Sequence, residues 1–192
     1  IVEEAGSAVF NFISGDKVLI SCITSCGRCS HCKNKMYSHC ELGGWILGNC
    51  IDGTQAEYVC IPFADTSLYH LPQDLDEEPL VMLSDIFPTG YEAGVLKGQI
   101  KLGDTVAIIG AGPIGLATLL TAQFCSPSQI IVVDIDDFRL QMAKKMGATM
   151  IINDCNNQAV EKIMQHTNQK GVNVSIEAVG SPKAFDTCQL IL

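Results

Sequence analysis

Thr105-Val106-Ala107-Ile108-Ile109-Gly110-Ala111-Gly112-Pro113-Ile114-Gly115 is the stretch on which the reading of this chain turns. Its first five residues are a short apolar run without a polar face, the pattern of a strand buried on both sides. The run passes into G-x-G-x-x-G, and Pro113 stands where the first turn of a helix tolerates proline. Glycines are common in turns, so the six-residue pattern alone decides little. Context strengthens it: a strand precedes, a helix follows, and Asp134 closes the next apolar run 19 residues after Gly115. That combination is the dinucleotide-binding fingerprint. Gly110 would make the tight turn, Gly112 would let a pyrophosphate approach the N–H groups at the helix start, and Gly115 would let helix and strand pack closely.

Asp134 would accept both hydroxyls of the adenosine ribose. A 2′-phosphate would meet Asp134 with Asp136 and Asp137 nearby, so the reading favours NAD over NADP. Arg139 is the counter-argument, since it could contact the ribose or simply be a solvated helix residue.

The same grammar continues outward. Apolar β-branched runs at Thr105–Ile109, Ile130–Val133, Ala148–Ile152 and Val172–Ile176 alternate with helix-like segments at Pro113–Phe124, Asp137–Met146 and Gln158–His166. Repeated strand-helix units predict a doubly wound parallel sheet covered on both faces, with a last helix running to Leu192. No charge occurs from Thr105 to Val133, a length that could span a bilayer. The glycines, Pro113 and Ser126-Pro127-Ser128-Gln129 break it, and we expect no membrane segment.

Upstream the pattern is different. Residues 1 to about 70 carry short β-type runs, Lys17–Ile20 after Gly15-Asp16 and Ala56–Val59 after Asp52-Gly53, around one long loop from Cys26 to about Asn49. Loops of that length are unusual unless something holds them. Four of the ten cysteines, Cys26, Cys29, Cys32 and Cys40, form a C-x2-C-x2-C-x7-C pattern. Such spacing aims successive thiolates at one tetrahedral centre, and four thiolates leave no open position, so a structural zinc is expected. Disulfides and an iron–sulfur cluster are the alternatives, though Glu41 stands where a ferredoxin-type run has proline. His31 and His39 are read as exposed loop residues, and Cys22, Cys50, Cys60, Cys125, Cys155 and Cys188 as small buried apolar ones.

Pro79 to Tyr91 reads as a buried helix joining the two regions. Within it Asp85 lies among Leu80, Val81, Met82, Leu83, Ile86 and Phe87, where a lone carboxylate needs a partner; a metal is one, a helix or turn cap another. Trp45, the only tryptophan, follows Gly43-Gly44 and is either core or a pocket wall.

Composition bounds the rest. The 192 residues are 47% hydrophobic and 17% charged, which describes a folded chain able to bury a core. The net charge of −9 belongs to the first half, where residues 1–95 hold four basic and 13 acidic side chains; residues 96–192 hold eight of each. Nothing resembles a basic patch, so nucleic acid is not an expected partner. The chain opens on Ile1 with no signal-like segment, and both ends look cut.

Taken together, Gly15-Asp16-Lys17-Val18, the four cysteines, Asp52 to Tyr58, Gly110 to Gly115 and Asp134 resemble the zinc-dependent medium-chain alcohol dehydrogenases, in order along the whole chain. The resemblance implies a partial GroES-like, mostly-β catalytic domain over residues 1–90, with a structural zinc lobe at 22–50, and a partial Rossmann NAD-binding domain over 91–192. It implies that Asp85 ligates a catalytic zinc, as in the microbial secondary-alcohol branch, because Asp85-Ile86-Phe87-Pro88-Thr89-Gly90 is similar to that stretch. It also implies that Thr89 touches the nicotinamide end, Trp45 lines the substrate pocket, Ile114 packs behind the nicotinamide, and Pro113 belongs to the cofactor turn. The family's first two catalytic ligands, a Cys and the His of Gly-His-Glu, lie upstream of the segment similar to Ile1–Gly6. We therefore expect the middle of a longer, cytoplasmic, dimeric or tetrameric enzyme that interconverts a small primary or secondary alcohol with its aldehyde or ketone. Polyol, threonine and formaldehyde dehydrogenases share these motifs. A silent NAD-binding zinc protein is the other alternative, and a zinc-ribbon binding module is a poorer one.

Overall fold

The computed structural model describes every residue except Gln73. The chain divides into two compact units, Ile1–Asp85 and Ile86–Leu192; the division falls five residues before position 90.

Regular structure in the first unit is sparse. Strands β1 (Val18–Ile20) and β2 (Leu68–His70) pair antiparallel, with Val18 opposite His70 and Ile20 opposite Leu68. Between them come helix α1 (Ser30–Lys33), a 3-10 turn at Tyr37–His39 and helix α2 (Ala64–Ser67). Helix α3 (Glu77–Leu80) follows, its first turn capped by Asp76, which accepts the Glu78 amide at 3.2 Å. The expected strand at Ala56–Val59 does not form, and Ala56, Glu57 and Tyr58 are exposed. Among the described residues of this unit, ladder pairing is confined to β1 with β2 and to isolated bridges at Thr24–Gly44 and Leu47–Ile51. The mostly-β expectation thus reduces to a small β element carrying a long, hydrogen-bonded loop.

The expected buried helix from Pro79 to Tyr91 is broken, and Val81, Met82 and Leu83 are exposed. After α3 the chain tightens to a 3-10 turn at Val81–Ser84, then Asp85 leaves helical space with φ −153° and ψ −64°. The Ser84 carbonyl accepts the Cys22 amide at 3.1 Å instead of a helical amide, and the Ser84 hydroxyl turns back on the Val81 carbonyl. Those two bonds give the backbone an alternative to the helix ladder at that point.

The second unit opens with helix α4 (Ile86–Thr89) and a π-helical stretch, Gly90–Leu96. Then β3 (Thr105–Ile109), α5 (Pro113–Ala122), β4 (Gln129–Asp134), α6 (Asp137–Lys145), β5 (Met150–Asn153), α7 (Ala159–His166), β6 (Val174–Glu177) and α8 (Pro182–Leu190) follow in strict alternation. The strands form one parallel sheet in the order β5-β4-β3-β6. Successive side chains of a strand face opposite ways, and here both faces are apolar. Val106, Ile108, Ile130 and Val132 pack with Leu119 and Ala122 of α5 and Leu140 and Ala143 of α6. Ala107, Ile109, Ile131 and Val133 pack with Ala159 and Ile163 of α7 and Ala184 and Cys188 of α8. This is the expected doubly wound sheet. The chain moves outward from β3 through β4 to β5 and then returns to β3's other side with β6, so the C-terminal end of β3 is the switch point of the topology.

The π-helix packs on α5 through glycine. A Cβ on Gly90 would lie 2.8 Å from the Ala117 Cβ, and one on Gly94 would lie 2.7 Å from the Thr118 methyl. No helix among the described residues is long and apolar enough to cross a membrane. Of the six cysteines expected to be buried, only Cys188 is; Cys50, Cys60 and Cys155 are exposed, and Cys22 and Cys125 are half-buried. Their small size suits a core, but here backbone loops carry them to the surface.

Candidate functional site

The four thiols of the C-x2-C-x2-C-x7-C pattern converge. Helix α1 starts at Ser30, directly after Cys29, so one helical turn carries Cys32 back towards Cys29. The 3-10 turn at Tyr37–His39 then returns the chain so that the Cys26 amide donates to the Cys40 Sγ at 3.2 Å. Closure of the lobe depends on Gly43 and Gly44, which pass within hydrogen-bond reach of Thr24: the Gly44 amide donates to the Thr24 carbonyl at 2.6 Å, and a Cβ on Gly43 would lie 2.5 Å from that oxygen.

The ligand atoms of Cys26, Cys29, Cys32 and Cys40 all lie within 4.8 Å of one another, and the Cys26 and Cys32 sulfurs are 4.0 Å apart. A tetrahedral zinc with bonds of about 2.3 Å needs sulfurs about 3.8 Å apart, which this set fits, whereas a disulfide needs about 2.05 Å. Cys26, Cys29, Cys32 and Cys40 are free thiols, not disulfides.

Electrostatics within the lobe are divided. The Glu41 and Cys32 amides, with help from the neighbouring thiols, hold the Cys29 thiol down at about 6, well below the ordinary 9.0. Burial, reinforced by the adjoining thiolates, pushes Cys32 up to about 12. For Cys40 burial again acts upwards, but the amides of Cys26 and Leu42 and the thiols of Cys26 and Cys32 outweigh it and the net direction is down. Four sulfurs so close together cannot all ionise without a cation among them. His39 is exposed as expected; His31, in α1, is half-buried with its ring centroid 6.1 Å from that of His39.

The glycine turn sits at the sheet's switch point. Gly110 has φ +108°, and a Cβ there would meet the Ala178 carbonyl oxygen at 2.8 Å. A Cβ on Gly115 would collide with the Gly110 carbonyl oxygen, so the close strand-helix approach expected of this glycine is present. Gly112 differs from both: a Cβ there would meet nothing within 4 Å. It is the N-cap of α5, Pro113 follows at N1, and no side chain caps the helix. An uncapped helix start beside open space offers an anion both N–H groups and room. Ile114 is half-buried on the same turn.

Asp134 is only 8% exposed at the end of β4. Its Oδ2 accepts the Ala111 amide at 2.7 Å, and its Oδ1 accepts the amides of Ile135 and Asp136 at 2.8 and 3.0 Å. A carboxylate offers about four lone-pair sites, and three are taken. By that count one lone-pair site, on Oδ2, remains open. Asp136 caps α6 by accepting the Arg139 amide at 3.0 Å, and the Arg139 side chain is exposed.

Asp85 is half-buried, not enclosed as the apolar run suggested, and Thr89 is half-buried at the end of α4. Trp45 is 53% exposed, so it is not core. A concavity of about 620 Å³ on the first unit is lined by Asp52, Gly53, Ala56, Tyr58, Cys60 and Pro62 among others, and none of the expected site residues lines it. One side chain near the glycine turn escaped the sequence reading: Asn153 stands in register with Asp134 on the neighbouring strand; the only signal was a polar residue closing an otherwise apolar strand.

Residues 1–73 match the model of the alcohol dehydrogenase GroES-like domain, and residues 113–192 match that of the zinc-binding dehydrogenases. An alcohol dehydrogenase of Cupriavidus necator is 36% identical over 213 residues, covering 100% of this chain and 57% of its own length. The medium chain reductase/dehydrogenase ucsI of an Acremonium species is 34% identical, covering 100% of this chain and 68% of its own. Among solved structures, the apo form of zinc dependent alcohol dehydrogenase 2 from Streptococcus pneumonia superposes with a TM-score of 0.94 at 55% identity, covering 100% of this chain and 55% of the other. The chain therefore spans a little over half the length of the first and last of these.

Proposed function

The chain belongs to the zinc-dependent medium-chain alcohol dehydrogenase family, and from that premise we propose that it serves an NAD-dependent oxidoreductase that interconverts a small primary or secondary alcohol with its aldehyde or ketone. The observation that carries the reading is the pairing, in one unit, of the open space at Gly112 with the backbone-held carboxylate of Asp134, at the switch point of a doubly wound sheet. A catalytic zinc held in part by Asp85 would supply the Lewis acidity that makes an alcohol hydroxyl acidic, and NAD at the glycine turn would supply the hydride acceptor.

In this reading each of the chain's own residues has a part. Gly110 turns the backbone, Gly112 leaves room for a pyrophosphate at the α5 N-terminus, and Gly115 seats the helix on β3. Asp134 offers its remaining lone pair to a ribose hydroxyl, and its charge, with Asp136 and Asp137, disfavours a 2′-phosphate. Cys26, Cys29, Cys32 and Cys40 hold a structural zinc that orders a loop with little apolar core. Asp85 is a ligand of the catalytic zinc, Thr89 and Ile114 contact the nicotinamide end, and Trp45 contributes an apolar wall for substrate; this part of the proposal rests on the likeness of Asp85–Gly90 to the family. A homo-oligomer in the cytoplasm is the setting proposed.

The test is alcohol-dependent NADH formation by a protein carrying this chain with its upstream ligands, over a panel of small primary and secondary alcohols. Turnover that Asp85→Ala abolishes supports both the reaction and the ligand. Binding of NADH without turnover of any alcohol overturns the enzymatic reading in favour of a nucleotide-binding protein.

A further inference from the structure

The loop that would meet the adenosine ribose is not held by its own strand alone. Asp134 pairs in register with Asn153 at the end of β5. The Asn153 Nδ2 donates to the Asp137 Oδ1 at 2.7 Å and to the Ile135 carbonyl at 3.3 Å, and its Oδ1 accepts the Cys155 amide at 3.0 Å. The Cys155 thiol donates to the same Ile135 carbonyl at 3.2 Å, and the Asp154 amide donates to the Asp134 carbonyl at 2.9 Å. Four of these hydrogen bonds run between the end of β5 and the segment Asp134–Asp137, two of them made by one amide side chain, whose oxygen is held in turn by the Cys155 amide.

The chemistry of that side chain matters. Asp137 is an exposed carboxylate in the first turn of α6, where solvent alone would leave its rotamer free. A charge-assisted bond of 2.7 Å fixes it, and only a group with two donors can reach both Asp137 and the Ile135 carbonyl. Aspartate at position 153 has the same shape but would set two carboxylates against each other.

We propose that Asn153 is a positioning residue for the cofactor's adenosine ribose. It acts through the Asp134–Asp137 turn, keeping the Asp134 carboxylate under the ribose and the Asp137 carboxylate at the 2′ edge, and so sets the discrimination against a 2′-phosphate. This inference rests on reading Gly110–Gly115 and Asp134 as the cofactor cradle, and it adds a residue from a different strand.

The experiment is titration of NADH and of NADPH, followed by nucleotide fluorescence, on the full protein and its Asn153→Ala, Asn153→Ser and Asn153→Asp variants. Asn153→Ala weakens NADH by about tenfold, equivalent to about 1.4 kcal/mol, while NADPH changes little, so the preference for NADH narrows by the same factor. Asn153→Ser, which keeps one hydroxyl donor, falls between, and it carries the test if the alanine variant does not fold; Asn153→Asp loses at least as much as alanine. A purely structural role would weaken both nucleotides equally and leave the ratio unmoved, and that result overturns the proposal. Unchanged NADH binding in folded Asn153→Ala overturns it while leaving the cofactor reading intact. Failure of the unsubstituted protein to bind either nucleotide overturns both.

Discussion

Gly110 and Gly112 lie two residues apart in one turn, yet the structure assigns them opposite burdens, and a pair of alanine substitutions separates them. At Gly110, φ is +108°, a region that L residues occupy only at about 1 to 3 kcal/mol of backbone strain. The new methyl would also lie 2.8 Å from both the Ala178 carbonyl oxygen and a Val179 methyl, and overpacking of that kind destabilises by about 1 to 3 kcal/mol. The two add to about 2 to 6 kcal/mol, which for a unit of about 100 residues lowers the thermal midpoint by about 8 °C or more. Gly112 has φ −72° and nothing within 4 Å of an added Cβ. Its substitution removes only the preference of an N-cap for glycine over alanine, about 1 kcal/mol or less. That same methyl occupies the space assigned to the pyrophosphate, so NADH affinity falls by about tenfold or more. Thermal unfolding followed by circular dichroism, with NADH titration of each variant, reads both quantities. The reasoning fails if Gly112→Ala destabilises the fold more than Gly110→Ala does, and the cradle fails if Gly112→Ala binds NADH as tightly as the parent.

Leu119→Ala, at a position with no exposed surface between α5 and β3–β4, is expected to cost about 3 to 5 kcal/mol, measured as a shift of the urea midpoint. Removing zinc with a chelator should expose the 26–44 lobe to trypsin at Lys33 and Lys35 while the second unit stays resistant; unchanged cleavage would mean the metal does not order the loop. In the metal-depleted protein the thiols should alkylate in a set order as pH rises, Cys29 first with a midpoint near 6 and Cys32 last, towards 12. The signs are opposite. Cys29, lowered from 9.0, favours the folded lobe above pH 9 and loses that effect as pH falls through 6, whereas Cys32, raised, favours it below pH 9 and loses that as pH climbs towards 12. Mass spectrometry of the labelled peptides decides, and a Cys29 midpoint near 9 would refute the assignment of its amide bonds.

The second unit was legible because its signal is physical and repeated. Four continuous apolar runs can be buried only as strands covered on both faces, and the observed strands differ from the expected ones by a residue or two at their ends. The convergence of the four cysteines was legible for a similar reason, since spacing alone restricts how thiols can meet. Elsewhere the decisive contacts are long-range and leave no local trace. Nothing in Pro79–Tyr91 reveals that the Ser84 carbonyl will accept from Cys22, a bond across 62 positions that ends the helix. Hydrophobicity likewise misplaced most of the scattered cysteines, because the loops dictate where the chain runs and the side chains follow. That Asp134 closes its strand was legible, but the amides that fill most of its lone pairs could be seen only in three dimensions.

The loop that carries the four converging cysteines leaves β1 at Ser21 and returns to β2 at Ser67, whose carbonyl accepts the Ser21 amide at 2.9 Å. Everything between is an excursion from a two-strand stem, much as a side loop hangs from a paired stem in RNA. A lineage can lengthen, trim or rewrite the outer parts of such an excursion while the stem keeps its register. All four sulfurs are supplied within a span of 15 residues, so changes confined to the rest of the excursion leave the segment that carries the thiol cluster untouched.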